Sequence, residues 1–146
     1  MTKEEIQLLY KRYIMPESKS PHSFQEAVDY TDLISAYNPM CGDKFSLKIT
    51  LSNSQITGCS FQGFGCAVSK ASTSILLKSI EGLSIKESIT LCENFIQEID
   101  GNLTGLTFDE PLKVLSLLKD FDGRIDCIKL SWVHLLTHLI KRSNEN

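Results

Sequence analysis

The chain has 146 residues, 42% of them hydrophobic and 23% charged, which suits one domain whose core removes roughly 70% of the unfolded surface from water. Its 15 Lys and Arg against 18 Asp and Glu give a net charge of -3 with no basic block, so a nucleic-acid or anionic-membrane partner is disfavoured. No apolar run approaches the ~20 residues of a membrane span, and the charged start Met1-Thr2-Lys3-Glu4-Glu5 lacks a signal core. The expectation is a single cytoplasmic domain over residues 1–146 in which five cysteines, Cys41, Cys59, Cys66, Cys92 and Cys127, are read for chemistry rather than as a disulfide framework.

Thr2 and Glu5 have the form of a capping box, and Ile6, Leu9, Tyr10, Tyr13 and Ile14 recur at helical spacing, which predicts a first helix over about 3–14. Pro16, Pro21 and the serines around them predict a loop. A short helical stretch between Phe24 and Tyr37 is weakly patterned, and residues 33–42 offer a strand as the competing reading. Phe45, Leu47, Ile49 and Leu51 alternate with polar residues and predict a strand, turned at Ser52-Asn53-Ser54 into an antiparallel partner over about 55–62 with Thr57, Cys59 and Phe61 on one side. Gly63 and Gly65 interrupt that pattern.

A helix then follows Cys66, with Val68, Ala71, Ile75 and Leu76 inward and Gly82 as terminator. Ser84 and Glu87 form a second capping box ahead of the stripe Ile85, Ile89, Cys92, Ile96 and Ile99. Residues 101–110 read as a loop, Asp109-Glu110-Pro111 opens a short helix through Leu118 that Asp122-Gly123 ends, and a last helix over about 127–141 turns Ile128, Trp132, Leu135, Leu136 and Leu139 inward. The fold class is α+β, a small antiparallel three-stranded sheet packed against several helices.

Packing explains Cys59 on a strand and Cys92 in an apolar stripe. The other three cysteines lie at element junctions. Cys41 precedes Gly42-Asp43 in a turn-like segment, Cys66 opens a helix whose positive end favours thiolate, and Cys127 follows Arg124 near the start of the last helix. Cys41, Asp43, Cys66 and Cys127 make a possible tetrahedral S3O set for zinc. Their separations match no zinc-finger spacing, and unrelated packed thiols remain the alternative.

Asn38-Pro39-Met40-Cys41-Gly42-Asp43, then Gly63-Phe64-Gly65-Cys66-Ala67-Val68-Ser69-Lys70-Ala71-Ser72, then Arg124-Ile125-Asp126-Cys127 with Leu130-Ser131-Trp132, resemble the iron–sulfur assembly family of SufU, IscU and the N-terminal domain of NifU. Within it the SufU branch is the closer match, because the interval from Cys66 to Cys127 is long and Asp126 stands where IscU-type scaffolds carry histidine. The resemblance implies zinc on Cys41, Asp43, Cys66 and Cys127, and Cys41 as acceptor of persulfide sulfur from a SufS-like cysteine desulfurase, passed on to downstream iron–sulfur assembly proteins. It implies that Arg124 docks the partner or stabilises a thiolate, and that Cys41 exchanges off the metal when the desulfurase supplies a replacement ligand. Two departures concern the partner surface: Asp126 replaces a usual lysine, and Ser20-Pro21-His22 replaces an Asn-Pro-Arg-type segment.

The same ligands also suit a scaffold on which an iron–sulfur cluster is built and then transferred to apo-proteins. A thiol redox protein is disfavoured by the lack of Cys-x-x-Cys. His134 and His138, four residues apart on the last helix, offer a metal pair but fall beside its apolar stripe, and His22 has no evident partner. Ser69, Ser72 and Ser74 have no histidine placed as a base in any recognisable motif; Ser69 and Ser72 match small positions of the family motif, and the resemblance implies packing or hydrogen bonding near the site for those two.

Overall fold

In the computed structural model, residues 2–25, 29–102, 108–120 and 124–145 are described. The capping box at Thr2 and Glu5 opens helix α1 (Lys3–Leu9), which runs through a π-helical stretch (Tyr10–Ile14) into α2 (Met15–Lys19). The helical path therefore continues past the position expected to be a loop. Pro16 lies in the first turn of α2, where its missing N–H matters least, and the wider π turn ahead of it relieves the ring's clash with the carbonyl four residues back. The chain leaves the helix only at Ser20, and the loop signal belongs there.

The sheet has strand order β1-β2-β3, all antiparallel, from β1 (Asp32–Tyr37), β2 (Lys44–Ser52) and β3 (Gln55–Phe64). Of the two readings for the segment ahead of Lys44, the strand is correct for residues 33–37 and wrong for 38–42, which form the turn; the helical one is wrong for residues 32–37, and residues 26–28 lie outside the described set. Leu33-Ile34-Ser35-Ala36 alternates with Ile34 and Ala36 buried, a period-two pattern spread over too few residues to stand out. Ile34, Ala36, Phe45, Leu47, Ile49 and Phe61 cover one face of the sheet, and all six are buried. A register shift between Thr50 and Leu51 takes Thr57 off that face, where alternation alone places it beside Cys59 and Phe61. β3 also runs two residues past the expected end, through Gly63 at φ +138°.

Helices α3 (Ala67–Ile80), α4 (Ile85–Ile99), α5 (Glu110–Leu117) and α6 (Ile125–Asn144) complete the core. The Ser84–Glu87 capping box forms as expected. Phe95 adds itself to the α4 stripe and stacks on Trp132 of α6 with ring centroids 4.1 Å apart. The expected loop over 101–110 and the Asp122-Gly123 stop fall largely on residues outside the described set.

Helices α3 and α6 meet along a polar seam. Trp132 Nε1 donates to Ser72 Oγ at 2.9 Å, Ser72 Oγ donates to the Ile128 carbonyl at 2.7 Å, and Thr73 and Ser131 hydroxyls lie 2.6 Å apart. Cys66 and Cys127 interact at the heads of the two helices while Ser72 and Thr73 meet Ile128, Ser131 and Trp132 further along, so the helices run in the same direction with their N-termini side by side. Those N-termini carry Cys66 and Cys127. Among the described residues no helix is long and apolar enough to cross a membrane.

At the other end of α6, Asp32 of β1 is buried and gripped by His138 Nε2 at 2.6 Å, Arg142 Nε at 2.7 Å and the Thr31 hydroxyl at 2.6 Å. Burial pushes its pKa up, but the hydrogen bonds from Thr31, His138 and Arg142 and the Arg142 charge outweigh it, so the carboxyl sits below the usual range. A depressed carboxyl stabilises the fold above its unfolded-state pKa and loses that contribution as pH falls through the folded one. Asp32→Asn is therefore expected to cost about 2 kcal/mol at neutral pH, with the gap to wild type closing only below pH ~3.9. Urea titrations at several pH values check it; a gap that closed near neutrality would contradict this assignment.

Candidate metal centre

The hairpin between β1 and β2 is built to hold one thiol out and one carboxylate in. The Asn38 side chain accepts from the Met40 N–H at 3.0 Å, and the loop is closed by Asn38 N–H to the Asp43 carbonyl at 2.9 Å and Gly42 N–H to the Asn38 carbonyl at 2.8 Å. Gly42 takes φ +79°, a conformation that glycine reaches without strain. Cys41 is consequently exposed at the tip while Asp43, two residues on, is 4% exposed.

Cys66 is the N-cap of α3 and its Sγ accepts the Ser69 N–H at 3.4 Å, in the role a serine or aspartate usually fills. Its own N–H donates to Asp43 Oδ1 at 3.1 Å, and its Sγ lies 3.9 Å from Asp43 Oδ2. Cys127 sits in the first turn of α6, which begins two residues earlier than the spacing predicted. Donor atoms of Cys41, Asp43 and Cys127 all lie within 4.8 Å of one another. Cys66 joins them through Asp43 and through a hydrogen bond with the Cys127 thiol.

Cys66 and Cys127 push each other's ionisation in opposite directions. The Cys127 thiol and, after it, the Ser69 N–H and hydroxyl hold the Cys66 thiolate at about 5, against the opposing pull of burial and the Asp43 charge. Cys127 keeps the proton, its pKa pushed up by Cys66, by burial and by the charges of Asp43 and Cys41. The two helix N-termini add positive potential where this negative charge collects. Burial pushes Cys59 and Cys92 up to about 12 each, so both are inert thiols. Cys92 is fully buried and Cys59 half-buried, consistent with packing.

The donor set fits a thiophilic cation. A tetrahedral ion with S ligands at ~2.3 Å needs sulfurs about 3.8 Å apart; Cys41, Asp43 and Cys127 lie within 4.8 Å of one another and reach this by side-chain rotation, whereas Cys66 lies outside that mutual distance and must turn in to complete the set. The two clustered sulfurs and one carboxylate suit zinc or an iron–sulfur cluster better than calcium or magnesium, which take oxygen ligands.

Gly65 is the site residue that the sequence did not reveal. A Cβ there would lie 2.6 Å from Ser69 Oγ, 2.9 Å from Asp43 Oδ1 and 2.9 Å from Phe45 Cζ. In the sequence it showed only as a break in strand alternation and as part of the Gly63-Phe64-Gly65-Cys66 motif, with no role attached. Gly65→Ala is expected to displace Asp43 and lower metal affinity by roughly 10- to 100-fold, the cost of disturbing groups that orient ligands. Competition with a chromophoric chelator measures this; unchanged affinity would show that Asp43 has other room.

The remaining candidates have other surroundings or supporting places. Arg124 precedes α6 as its N-cap, half-buried. His134 Nδ1 donates to the Leu130 carbonyl at 2.9 Å and His138 turns to Asp32, so the two histidines serve different partners. His22, expected to lack a partner, has Glu81 at 3.4 Å. Ser69 and Ser72 hydrogen-bond as expected, Ser69 on the site and Ser72 in the seam behind it. Ser74 accepts the His22 N–H and donates to Glu17.

Comparison with known proteins agrees with this arrangement. The model of the NifU-like N terminal domain matches residues 9–110. An iron–sulfur cluster assembly scaffold protein IscU of Streptococcus pyogenes serotype M1 is 30% identical over 98% of this chain and 89% of its own. The zinc-dependent sulfurtransferase SufU of Bacillus subtilis strain 168 is 27% identical over 97% of this chain and 96% of its own. Among solved structures, a protein of Fervidobacterium islandicum AW-1, described as an iron–sulfur cluster assembly scaffold for the SUF system, superposes with a TM-score of 0.83 at 25% identity, over 91% of this chain and 98% of that one. The α+β topology, the Cys/Asp cluster and the matches over nearly the whole chain place this protein in the NifU-like N-terminal domain family of SufU and IscU proteins, which serves iron–sulfur assembly.

Proposed function

We propose that this protein is a zinc-bound sulfur acceptor of the SufU type, a single domain over residues 1–146, in which Cys41, Asp43, Cys66 and Cys127 hold the ion and Cys41 receives sulfur from a SufS-like cysteine desulfurase. One observation carries the reading: of the three clustered thiols, Cys41 is exposed at a hairpin tip, whereas Cys66 and Cys127 are half-buried at helix N-termini. A partner can reach the first without unmaking the other two. Bound zinc would deprotonate the thiols and shield them from oxidation.

In the transfer step the Cys41 Sγ lone pair attacks the outer sulfur of the desulfurase persulfide. The persulfide S–S bond breaks, its electron pair leaves on the desulfurase cysteine as thiolate, and a new S–S bond forms on Cys41. Sulfur changes carrier with no net oxidation. Asp43 and the Cys66–Cys127 pair stay behind as the anchored ligands, and Arg124 at the head of α6 supplies positive charge toward the incoming anionic persulfide. The sulfur then passes to downstream iron–sulfur assembly proteins.

The second reading is a scaffold that builds a cluster on the same thiols, and it is supported by the IscU name of the Streptococcus pyogenes relative. The long interval between Cys66 and Cys127, and Asp126 in place of histidine, favour transfer. The deciding experiment mixes the zinc-loaded protein with cysteine desulfurase and cysteine and follows alanine release. Zinc-dependent stimulation supports the acceptor. No stimulation, together with a stable stoichiometric cluster after anaerobic reconstitution with iron and sulfide, would establish the scaffold instead.

A further inference from the structure

A groove of about 340 Å³ runs along the side of the thiol cluster. Tyr37, Asn38 and Pro39 form one wall, from the chain leading directly to Cys41, and Asp126, Leu130 and Val133 of α6 belong to the other, which starts beside Cys127. The Tyr37 ring is 51% exposed and Val133 is 37% exposed, so the apolar walls are wet in the isolated chain. Met40, 92% exposed, extends the apolar surface past the groove toward the tip of the hairpin.

The charged groups of the groove are not equivalent. Lys129 is already tied to Asp100 at 2.7 Å, and the His134 ring is held by its Nδ1–H bond to the Leu130 carbonyl at 2.9 Å. Asp126 is exposed and, among the described residues, has no ion-pair partner. Its carboxylate projects from the helix start immediately before a thiol that already shares a site with Asp43 and two more thiols. The N-terminus of α6 favours a carboxylate in its first turn, yet among the described residues no side-chain cation pairs with it.

We propose that this groove is the docking slot for the polypeptide segment of the sulfur donor that flanks its persulfide, and that the segment pairs a Lys or Arg with Asp126 while an apolar neighbour lies between Tyr37, Pro39 and Val133. The inference rests on the sulfur-acceptor reading and adds the chemistry of the partner's contact. An extended segment laid in the groove points along the hairpin wall to Cys41, which is where its sulfur has to arrive. A cation opposite Asp126 satisfies the one groove charge left open, and a donor with an acidic residue there is rejected by like-charge repulsion. Asp126 is thus a specificity determinant for the partner.

Purified cysteine desulfurase from the same organism is the probe, with binding to zinc-loaded protein followed by biolayer interferometry at low and physiological salt. Asp126→Lys and Val133→Asp are compared with Glu93→Lys, the same charge reversal on the exposed side of α4. Zinc content and melting temperature confirm that each variant is folded. About tenfold weaker binding by both groove variants, with a smaller salt dependence for Asp126→Lys and Glu93→Lys within twofold of wild type, supports the slot. Wild-type-like binding by the groove variants overturns it while leaving the acceptor reading intact. Absence of binding by the wild-type protein overturns both. A change confined to self-association in sedimentation velocity makes the groove an interface between copies and overturns the donor slot.

Discussion

Cys41→Ser is expected to reduce sulfur acceptance by at least about 100-fold while leaving the protein folded. The expectation comes from where the thiol sits. Cys41 is exposed at the tip of a hairpin whose closure is made by Asn38, Gly42 and Asp43, so replacing Sγ by Oγ removes no packed atom and breaks none of the loop's hydrogen bonds. A serine hydroxyl is not ionised at neutral pH and cannot replace a thiolate in exchange with a persulfide. The other cysteines are less available to a partner. Cys59 and Cys92, both pushed up to about 12 by burial, stay protonated, and Cys66 and Cys127 are shared between Asp43 and each other. Desulfurase-driven alanine release, with mass spectrometry of the persulfide on each cysteine, reads the outcome. A Cys41→Ser protein that still carried persulfide on Cys66 or Cys127 would move the acceptor role to the half-buried pair. In metal-free protein the same distinction predicts that iodoacetamide labels Cys41 and Cys66 well before Cys59 or Cys92.

Much of this site was legible in the sequence because its residues sit where chain geometry announces itself. Asn38-Pro39-Met40-Cys41-Gly42-Asp43 carries turn chemistry, and Gly65-Cys66 lies where a period of two gives way to a helical one. The capping boxes at Thr2 and Ser84 were likewise written in local spacing. What the sequence concealed depends on contacts between distant residues. The role of Gly65 comes from Asp43 and Ser69 closing on it. Asp32 reads as a polar strand end until α6 brings His138 and Arg142 to it across more than 100 positions of separation. The π turn before Pro16 turned a strong breaker signal into a helix start, since a proline early in a helix costs little once the preceding turn is widened. β1 escaped clear assignment because only Ile34 and Ala36 mark its buried face at full apolar strength, with the third inward position taken by Asp32.

Removing zinc with a chelator is expected to lower the melting temperature by roughly 10 °C, from a stabilisation of about 4 kcal/mol at a free ion concentration near 1,000 times Kd. The physical reason is the topology of the ligands. Asp43 and Cys41 belong to the β1–β2 hairpin, Cys66 to the head of α3 and Cys127 to the head of α6, so one ion on the proposed ligands would join the sheet to both helices. Without it the α3–α6 seam of Ser72, Thr73, Ser131 and Trp132 still holds the helices together, which is why the metal-free chain should remain folded rather than collapse as a zinc finger does. The part that should loosen is the hairpin, whose hydrogen bonds to the helices at that end, among the described residues, run from the Cys66 N–H and thiol to Asp43. Hydrogen exchange is therefore expected to rise at residues 38–43 after chelation and to change little in α4. A melting temperature indifferent to the chelator, in protein shown to have carried zinc, would mean that the ion does not bridge these three elements.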